Sequence, residues 1–520
     1  MSEPNDGGRD YDALPYEGGV FAVTHPDHLC ALARLFGVAA PDPTEARVLE
    51  LGCSVGTNLL PMAAGAPQAR YVGIDQSAVQ IGIAEQRRAQ LGLDNCRLVA
   101  GDLREIDEQW GTFDYIICHG VYSWVPEAVR AAILRLCKAR LSPRGVAYIS
   151  YNVLPGWLPM LGVREALRAH TEGIEGAAER VSQARAFLAF MAGLEPESSD
   201  PWHATMRTAH AQLERCPDSY LLHEYLAPVN APCTFLDFVA AARSHGLQYL
   251  AEADLPTMIP ANCGANAREV LDQIHGQAQS EQYLDLLRGR RFRQTLLVHG
   301  DLEVDRDLRP PRLAGVRLLP RFEVLESPPQ AGRLVLRAEN EAELTLLDPL
   351  LQRAFLALQA ASPRNPTVES LAAAGGLAGD PVAEEAVADA MLTAATRGFV
   401  TLSARPRART PTDLQRPLAW PAASAWARWG GAVPSQLHRA VLPSPLGRLL
   451  LQSADGARDQ NDLLQVVLDA MEAGELEIEA QSADGAALGA PSVEGLAALV
   501  QEQVAELARL GLLIDAPGRR

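Results

Sequence analysis

Three carboxylates follow three β-rich runs near the start of the chain, close to one glycine-containing turn. Glu50 lies in VLEL just before the turn Gly52–Gly56, Asp75 ends YVGID, and Asp102 follows VAG. Carboxylates at the carboxyl ends of parallel strands can accept hydrogen bonds from a nucleoside, so we expect Asp75 to bind ribose hydroxyls and Asp102 an adenine amino group. Asp75 could instead cap the helix that follows it. The spacing of all three favours an adenosine-containing ligand.

The turn differs from the glycine fingerprint of dinucleotide-binding proteins. Its spacing is Gly52-x-Ser54-x-Gly56, and Thr57 stands where the third glycine of that fingerprint would fall. The carboxylate of Glu50 would repel a pyrophosphate, whereas it suits a cationic ligand. S-adenosylmethionine carries a sulfonium and an ammonium and has no phosphate. The turn therefore predicts S-adenosylmethionine as the cofactor and methyl transfer as the reaction.

Aromatic and polar side chains follow the next two predicted strands. His119, Tyr122 and Trp124 lie in CHGVYSWVPE, and Tyr151 and Asn152 end the fifth strand. Methyl transfer from a sulfonium needs alignment, exclusion of water and loss of a proton from an amine acceptor. We expect these five residues to line the acceptor cleft, with His119 or Tyr151 as candidate bases. Bulk water as the proton acceptor, and simple packing of Tyr122 and Trp124, are the alternatives.

The predicted strands and helices that position these residues alternate as in an α/β fold. Short β-rich runs alternate with helical stretches, which is typical of a doubly wound, Rossmann-like parallel sheet. The predicted strands are Arg47–Leu51, Arg70–Ile74, Cys96–Val99, Phe113–Cys118 and Gly145–Tyr151, and the predicted helices include Pro26–Phe36, Ala78–Leu91 and Glu127–Arg140. Methyltransferases of this type finish their sheet with a sixth strand and a reversed seventh strand. Since the glycine turn predicts methyl transfer, we expect Leu247–Glu252 and Gln294–His299 to close a seven-stranded sheet in this way.

At 520 residues the chain is too long for one hydrophobic core. We predict a core with an N-terminal flap over residues 1–155, a middle region with a helical insert over 156–300, and α+β winged-helix-like modules over 301–405 and 406–520. In each module a helix ends at a glycine (Gly398 or Gly511) and a short apolar strand follows. Arg306–Arg321 and Ala404–Pro417 are predicted to be linkers.

Composition limits the function classes. The net charge is −18, which disfavours nucleic acid as a partner, and we expect the basic run Arg405, Arg407, Arg409 and Arg416 to be a solvated linker. None of the eight cysteines forms a C-x-x-C pair, so no metal site or disulfide framework is predicted. No apolar stretch approaches membrane-spanning length and the polar start lacks a secretion signal, which predicts no membrane partner and a cytoplasmic location. Lys138 is the only lysine.

Several longer motifs resemble class I bacterial methyltransferases that carry a methyltransferase regulatory domain. This group includes rickettsial protein-lysine methyltransferases that act on an outer-membrane protein. The resemblance spans about residues 11–300, and its motifs are YDALPY (11–16), THPDHL (24–29), ELGCSVGTNLLPMA (50–63), VGIDQS (72–77), CHGVYSWVP (118–126), YNVLPGW (151–157), HEYLAPVNAP (223–232), HGLQYLAEAD (245–254) and YLDLLRGRRFRQTLLVH (283–299). Ser54 departs from the central glycine of common methyltransferases, although serine is small.

The resemblance implies roles for individual residues and makes residues 156–300 the regulatory region. The implied cofactor-binding residues are Tyr16, Glu50, Gly52, Cys53, Ser54, Gly56, Asn58, Asp75, Gln76, Asp102, Leu103 and His119. The implied acceptor-binding residues are Tyr122, Trp124, Asn152, Trp157, His223, Glu224 and Tyr225.

Three functions remain open from the sequence. The first is methyl transfer to the lysine side-chain nitrogen of a protein, which rests on the resemblance. The second is methyl transfer to a small-molecule acceptor, with the C-terminal modules serving as a homodimer surface. The third is a DNA-binding regulator that senses the cofactor, which the net charge disfavours.

Overall fold

A seven-stranded mixed sheet forms the centre of the N-terminal half. The computed structural model describes residues 12–16, 18–271, 273–325, 332–407, 411, 413–478 and 491–515. The sheet has the order β3-β2-β1-β4-β5-β7-β6, and its strands are β1 (Arg47–Leu51), β2 (Arg70–Asp75), β3 (Cys96–Ala100), β4 (Phe113–Cys118), β5 (Leu141–Asn152), β6 (Leu247–Glu252) and β7 (Phe292–His299). The first five strands are parallel, and β7 runs antiparallel to both β5 and β6. The predicted sixth strand and reversed seventh strand are confirmed.

Helices cover this sheet and continue beyond it. In the N-terminal half they are α1 (Pro26–Leu35), α2 (Leu59–Gly65), α3 (Ala78–Gln90), α4 (Glu127–Arg140), α5 (Leu158–His170), α6 (Ala177–Leu194), α7 (Pro201–Leu213), α8 (Asp218–Tyr220), α9 (Phe235–Ser244), α10 (Ala265–Leu271) and α11 (Gln277–Arg288). A π-helix, Leu221–Leu226, directly continues α8. Short 3-10 turns occupy Ala22–Thr24, Leu103–Glu105, Glu108–Trp110, Tyr122–Trp124, Leu255–Met258, Pro260–Cys263 and Pro310–Leu313.

The last two strands are joined to α11 by a buried cluster of charges. Arg293 on β7 is fully buried, and its guanidinium binds Glu252 on β6 (2.7 Å) and both Glu281 (3.0 Å) and Asp285 (2.9 Å) on α11. A charge taken out of water is tolerated only when it is paired in this way. The cluster therefore fixes the edge of the sheet next to the helices of the middle region.

The helical insert has its own apolar core. Helices α5, α6 and α7 pack with the π-helix around a cluster that is separate from the core of the sheet and includes Trp157, Met160, Leu188 and Tyr225. The insert thus forms a distinct layer, in which the π-helix packs against α5 and α6.

Two small α+β units follow residue 300. The first contains β8 (Arg317–Pro320), β9 (Phe322–Val324), β10 (Leu334–Ala338), β11 (Glu343–Leu346) and β12 (Val400–Ser403), with α12 (Pro349–Ala361), α13 (Val368–Ala374) and α14 (Pro381–Arg397). The second contains β13 (Leu418–Ala419), β14 (Val433–Pro434), β15 (Ala440–Val441) and β16 (Leu513–Ile514), with α15 (Pro421–Trp429), α16 (Pro445–Ser453), α17 (Gln460–Glu472) and α18 (Val493–Arg509). Gly398 and Gly511 adopt left-handed φ angles of 89° and 72° where the preceding helices end. The predicted domain boundaries stay predictions.

Two predicted linkers are packed rather than solvated. Arg306–Arg321 contains β8, which pairs with β12, and Arg306 itself donates to the carbonyls of Tyr249 and Leu250. Arg407 is 2% exposed and, with Arg405, binds the buried carboxylate of Asp27. These arginines are therefore part of a buried network, because each compensates the carboxylate on α1.

Two residues named in the sequence prediction, Tyr11 and Arg409, lie outside the described residues. Arg416 donates to the carbonyl of Ala457. None of the helices in the described parts of the chain combines the length and apolar character that a membrane crossing requires.

Candidate active site

The glycine turn leaves β1 and leads into α2 through left-handed backbone conformations. Gly52, Ser54 and Gly56 have φ angles of 73°, 51° and 76°. A β-carbon at Gly52 would lie 2.5 Å from Val121 Cγ2, so only glycine fits there. Ser54 adopts a conformation that costs a residue with a β-carbon about 1–2 kcal/mol. The turn is therefore constrained at the position where the sequence departs from glycine.

Glu50, on β1 just before the turn, has one carboxylate oxygen without a hydrogen-bond partner among the described residues. The side chain is 3% exposed, and its Oε1 accepts a hydrogen bond from Asn58 Nδ2 (2.7 Å). Its Oε2 is buried and has no hydrogen-bond partner among the described residues. Burial raises the pKa of this carboxyl to about 8, and the carboxylate of Asp75 adds to the effect, whereas the Asn58 hydrogen bond opposes it.

Asp75 holds the turn from the end of β2. Its Oδ2 accepts from the Ser54 N–H (2.9 Å), and its Oδ1 accepts from the Ser77 N–H (3.0 Å). Burial raises the pKa of Asp75. Ser77 caps α3 and donates through Oγ to Asp12 (2.6 Å). Gln76, which lies between Asp75 and Ser77 in the chain, is exposed. Asp75 retains lone pairs for further donors, because each carboxylate oxygen can accept two hydrogen bonds.

Asp102 is engaged by a neighbour of its own loop. Its carboxylate accepts from Arg104 Nε (2.9 Å) and from the Arg104 backbone N–H (2.8 Å), and this arginine lowers the pKa of Asp102. Leu103 is half-buried and packs against the core. A ligand that used Asp102 would therefore share its carboxylate with Arg104.

The N-terminal flap, which we define as described residues 12–16 and 18–21, covers the turn. Ser54 Oγ donates to the Tyr16 carbonyl (2.6 Å), and His223 Nε2 donates to the Leu14 carbonyl (2.7 Å). The Phe21 ring packs against His119 with centroids 3.9 Å apart. The flap thus connects the glycine turn to the π-helix segment that contains His223.

His119 sits between the flap and the sheet. Its Nδ1 lies 2.8 Å from the Tyr148 hydroxyl, and its ring meets Phe292 edge-on at a centroid distance of 5.9 Å. Burial lowers the pKa of His119 to about 4. The imidazole is therefore neutral near pH 7 and a weak proton acceptor.

Two predicted cleft residues lie in the core instead. Tyr151 is 1% exposed, stacks on Phe238 of α9 at 4.0 Å and hydrogen-bonds Thr295 through its hydroxyl (3.1 Å). Tyr122 packs edge-on against the same Phe238. The expectation that Tyr151 and Asn152 face one cleft requires correction, because consecutive strand residues point to opposite faces. Burial raises the pKa of both tyrosines, which keeps their hydroxyls protonated.

The remaining acceptor candidates divide into buried and accessible residues. Asn152 is buried, and its Nδ2 donates to Asn230 Oδ1 (3.2 Å). Trp157 and Tyr225 are buried in the core of the insert, where they pack rather than line an opening. Trp124 is half-buried, and the Arg164 guanidinium lies 5.5 Å from its ring centre.

Glu224 lies on the π-helix directly after His223 and is half-buried. Burial raises the pKa of its carboxyl to about 7, and Arg164 opposes the increase. Burial raises the pKa of the Tyr16, Tyr220 and Tyr225 hydroxyls, and the nearby Glu224 carboxylate adds to the increase in each. The structure therefore brings Glu224, His223 and Tyr16 together, and Tyr16 in turn contacts the glycine turn.

Several residues of the site were absent from the sequence prediction. Phe21 and Phe292 pack on His119, and His438 from the second C-terminal unit hydrogen-bonds Asn58. For Phe21, the aromatic residues close to the N-terminus were a weak signal of a flap. No sequence signal points to His438, which lies 380 positions from its partner.

Comparison with family models matches three segments of the chain. Residues 48–145 match a methyltransferase domain, residues 217–299 a predicted methyltransferase regulatory domain, and residues 415–512 the C-terminal winged-helix domain of PKMT. The chain is similar to an uncharacterised protein of Rickettsia prowazekii, with 32% identity over 487 residues that cover 90% of this chain and 87% of that protein. A second uncharacterised protein of the same organism is 36% identical over 240 residues, which cover 46% of this chain and 96% of that protein.

The fold also matches a solved structure. PKMT2 from Rickettsia typhi in complex with AdoHcy superposes with a TM-score of 0.85 at 25% identity, covering 96% of this chain and 100% of that chain. The likeness therefore includes the C-terminal units as well as the sheet.

Proposed function

The chain belongs to the family of S-adenosylmethionine-dependent methyltransferases that carry a methyltransferase regulatory domain, and we propose that it methylates lysine side chains of a protein. Its methyl donor is S-adenosylmethionine, whose sulfonium supplies the transferred methyl group. A protein acceptor is supported by the similarity to PKMT2, together with the resemblance of the longer motifs to rickettsial protein-lysine methyltransferases.

The residues at the glycine turn fit this cofactor. Glu50 Oε2, which has no partner in the described parts of the chain, can accept a hydrogen bond from the ammonium of the cofactor's amino-acid part. Gly52 lets the backbone approach a ligand, and Asp75 has lone pairs left for ribose hydroxyls. We assign Glu50, Gly52, Ser54 and Asp75 to cofactor binding.

The observation that carries the lysine proposal is the environment of Glu224. A half-buried carboxyl near tyrosine hydroxyls can bind an alkylammonium through its charge, and tyrosine rings can add cation–π contacts. Because its pKa lies near neutrality, the same carboxylate can receive the proton that the amine must lose. Tyr16 packs edge-on against His223, the neighbour of Glu224, and the ring of Trp124 lies 5.5 Å from the guanidinium of Arg164.

The flap supplies the exclusion of water that methyl transfer needs. Tyr16 is bound to the turn, Leu14 to His223, and Phe21 covers His119. These contacts connect the cofactor side and the acceptor side of one cleft. In this proposal the chain orients, desolvates and deprotonates the acceptor and forms no covalent intermediate with it.

The acceptor class can be tested with a lysine-free enzyme. Lys138 is the only lysine and is exposed at the end of α4, so Lys138→Arg removes every lysine from the catalyst. We expect this variant, incubated with methyl-labelled cofactor and a host protein extract, to place label in methyl-lysine after complete hydrolysis. Because the enzyme then has no lysine, all of that methyl-lysine comes from the acceptor.

The controls separate the three candidate functions. A parallel incubation with the small-molecule fraction of the extract tests the second function, and label confined to that fraction would contradict lysine methylation. Binding of DNA without any methyl transfer would instead favour the regulator. Asp75→Ala in the same lysine-free background is the matched control, and it should weaken cofactor binding by about 1–3 kcal/mol through loss of hydrogen bonds.

A further inference from the structure

The second C-terminal unit inserts a hairpin tip into the cofactor site. The hairpin joins β14 to β15, and His438 at its tip is 2% exposed. Its Nε2 lies 2.8 Å from Oδ1 of Asn58, the residue directly before α2. Asn58 also contacts Glu50, so one side chain connects the C-terminal unit with the carboxylate under the glycine turn.

The surrounding chain holds this tip in one conformation. The Gln436 N–H donates to the Gly511 carbonyl (3.0 Å), and Arg407 Nη1 donates to the Leu437 carbonyl (3.1 Å). His438 itself has a φ angle of 56°, a left-handed value that is unfavourable for a residue with a β-carbon. Such conformations persist only where neighbours fix them, and they gather at functional sites.

The hydrogen bonds determine how the Asn58 amide is oriented. Its Oδ1 can only accept, so His438 Nε2 must donate, as the Phe21 N–H also does (3.0 Å). Burial lowers the pKa of His438 well below its usual value, which keeps the imidazole neutral. With Oδ1 held by these donors, Nδ2 points to Glu50 Oε1.

This orientation has a consequence for Glu50. One carboxylate oxygen is occupied by the amide, and the other is left without a partner among the described residues. If the amide rotated, its carbonyl oxygen would face Glu50 Oε1, which would then lose the hydrogen bond that orients the carboxyl group. The contact from the C-terminal unit thus maintains the geometry of the carboxylate.

We infer that His438 is a positioning residue for the cofactor: by fixing Asn58 it directs the free oxygen of Glu50, so that the C-terminal unit sets cofactor affinity. This inference rests on the proposed assignment of Glu50 to the cofactor. It gives the winged-helix unit a role in the catalytic site.

The test measures binding of S-adenosylhomocysteine by titration calorimetry in the full-length chain. We expect His438→Ala to weaken binding about tenfold, which is the effect of one hydrogen bond to a buried group. His438→Gln should keep most of the affinity that His438→Ala loses, because the amide N–H of glutamine can donate to Asn58. His275→Ala, at an exposed histidine, is the matched control and should bind as the unmodified chain does.

A double-mutant comparison separates positioning from general damage to the fold. In a Glu50→Gln background, which should itself bind more weakly, His438→Ala should add little, because its effect passes through that carboxylate. Equal weakening by His438→Ala and His438→Gln, or full additivity with Glu50→Gln, would overturn the inference. So would unchanged affinity of His438→Ala. Unchanged affinity of Glu50→Gln alone would overturn the cofactor-site assignment, and the positioning role with it.

Discussion

Replacing Glu50 with glutamine should change stability and cofactor binding in opposite directions. The carboxyl is buried, one of its oxygens is unpaired among the described residues, and burial raises its pKa to about 8. A group retained for stability alone would not be left in this state. Glutamine keeps the shape and can still accept the Asn58 hydrogen bond, but it cannot ionise.

The stability change follows from the pKa of Glu50. Between pH 4.5 and about 8 this residue is protonated in the folded chain and ionised in the unfolded chain. The unfolded state then binds fewer protons, so the contribution of Glu50 is complete below pH 4.5 and decreases by about 1.4 kcal/mol per pH unit up to pH 8. Over this window Glu50→Gln should gain up to about 5 kcal/mol relative to the unmodified chain, and above pH 8 the difference should level off.

Denaturant unfolding of both proteins from pH 5 to pH 9 measures this difference. The difference between their unfolding free energies is the useful quantity, because titrations common to both proteins cancel. A difference that does not change with pH would refute the argument that Glu50 is a buried neutral carboxyl in the absence of cofactor.

Cofactor binding should respond in the opposite sense. A hydrogen bond to a charged partner contributes about 1.5–3 kcal/mol, so Glu50→Gln should bind S-adenosylhomocysteine about 10- to 150-fold more weakly. At pH 7 the ammonium would favour the ionised carboxylate, and binding to the unmodified chain should release a proton. The calorimetric enthalpy of binding to the unmodified chain should then differ between phosphate and Tris buffers, whereas the enthalpy of binding to Glu50→Gln should be the same in both. Buffer-independent enthalpy in both proteins would count against contact between Glu50 and the ammonium.

Three further predictions concern separate parts of the structure. The rate of lysine methylation at low acceptor concentration should rise as pH increases through about 7, when the Glu224 carboxyl ionises. The Glu224→Gln variant should lack this rise, and a variant with the same pH profile as the unmodified chain would exclude Glu224 as the proton acceptor. Ser54→Gly should keep the unfolding free energy within about 1 kcal/mol of that of the unmodified chain, because relief of the left-handed φ offsets the lost hydrogen bond to Tyr16. It should also speed chymotrypsin cleavage after Tyr16 or Phe21. Equal cleavage rates would show that Ser54 does not hold the flap. Arg293→Met should destabilise the fold by about 3–5 kcal/mol in urea unfolding by leaving buried carboxylates unpaired, and a loss below 1 kcal/mol would contradict this role.

The local features of the catalytic domain were predictable from the sequence. The first four strands, the glycine turn and the acidic residue after each of three strands are encoded within short windows, where apolar runs and small residues determine the conformation. Even the left-handed residue at Ser54 occupies the position at which a glycine would be expected. The closing strands β6 and β7 are short apolar runs, and their places as a sixth strand and a reversed seventh strand could be predicted from the sheets of methyltransferases of this type.

Orientation of side chains was not predictable to the same extent. Tyr151 and Asn152 are neighbours on β5, and the alternation of a strand places only one of them on a given face. Which face meets the cofactor depends on what packs on the other side, and here α9 covers Tyr151 with Phe238. In the same way the run of arginines resembled a solvated linker, since the sequence gives no sign that Asp27 lies beside it.

The sequence by itself determined the sheet, the glycine turn and the carboxylates that follow its strands, because each depends on residues close together in the chain. Only the tertiary structure decided which groups complete the site. The hydrogen bond from His438 to Asn58 spans 380 positions, and that from His223 to the Leu14 carbonyl spans 209. Contacts of this range arise from the packing of whole units and leave no local pattern in the sequence, so the partners of the predicted flap and the position of the C-terminal hairpin could be seen only in the folded chain.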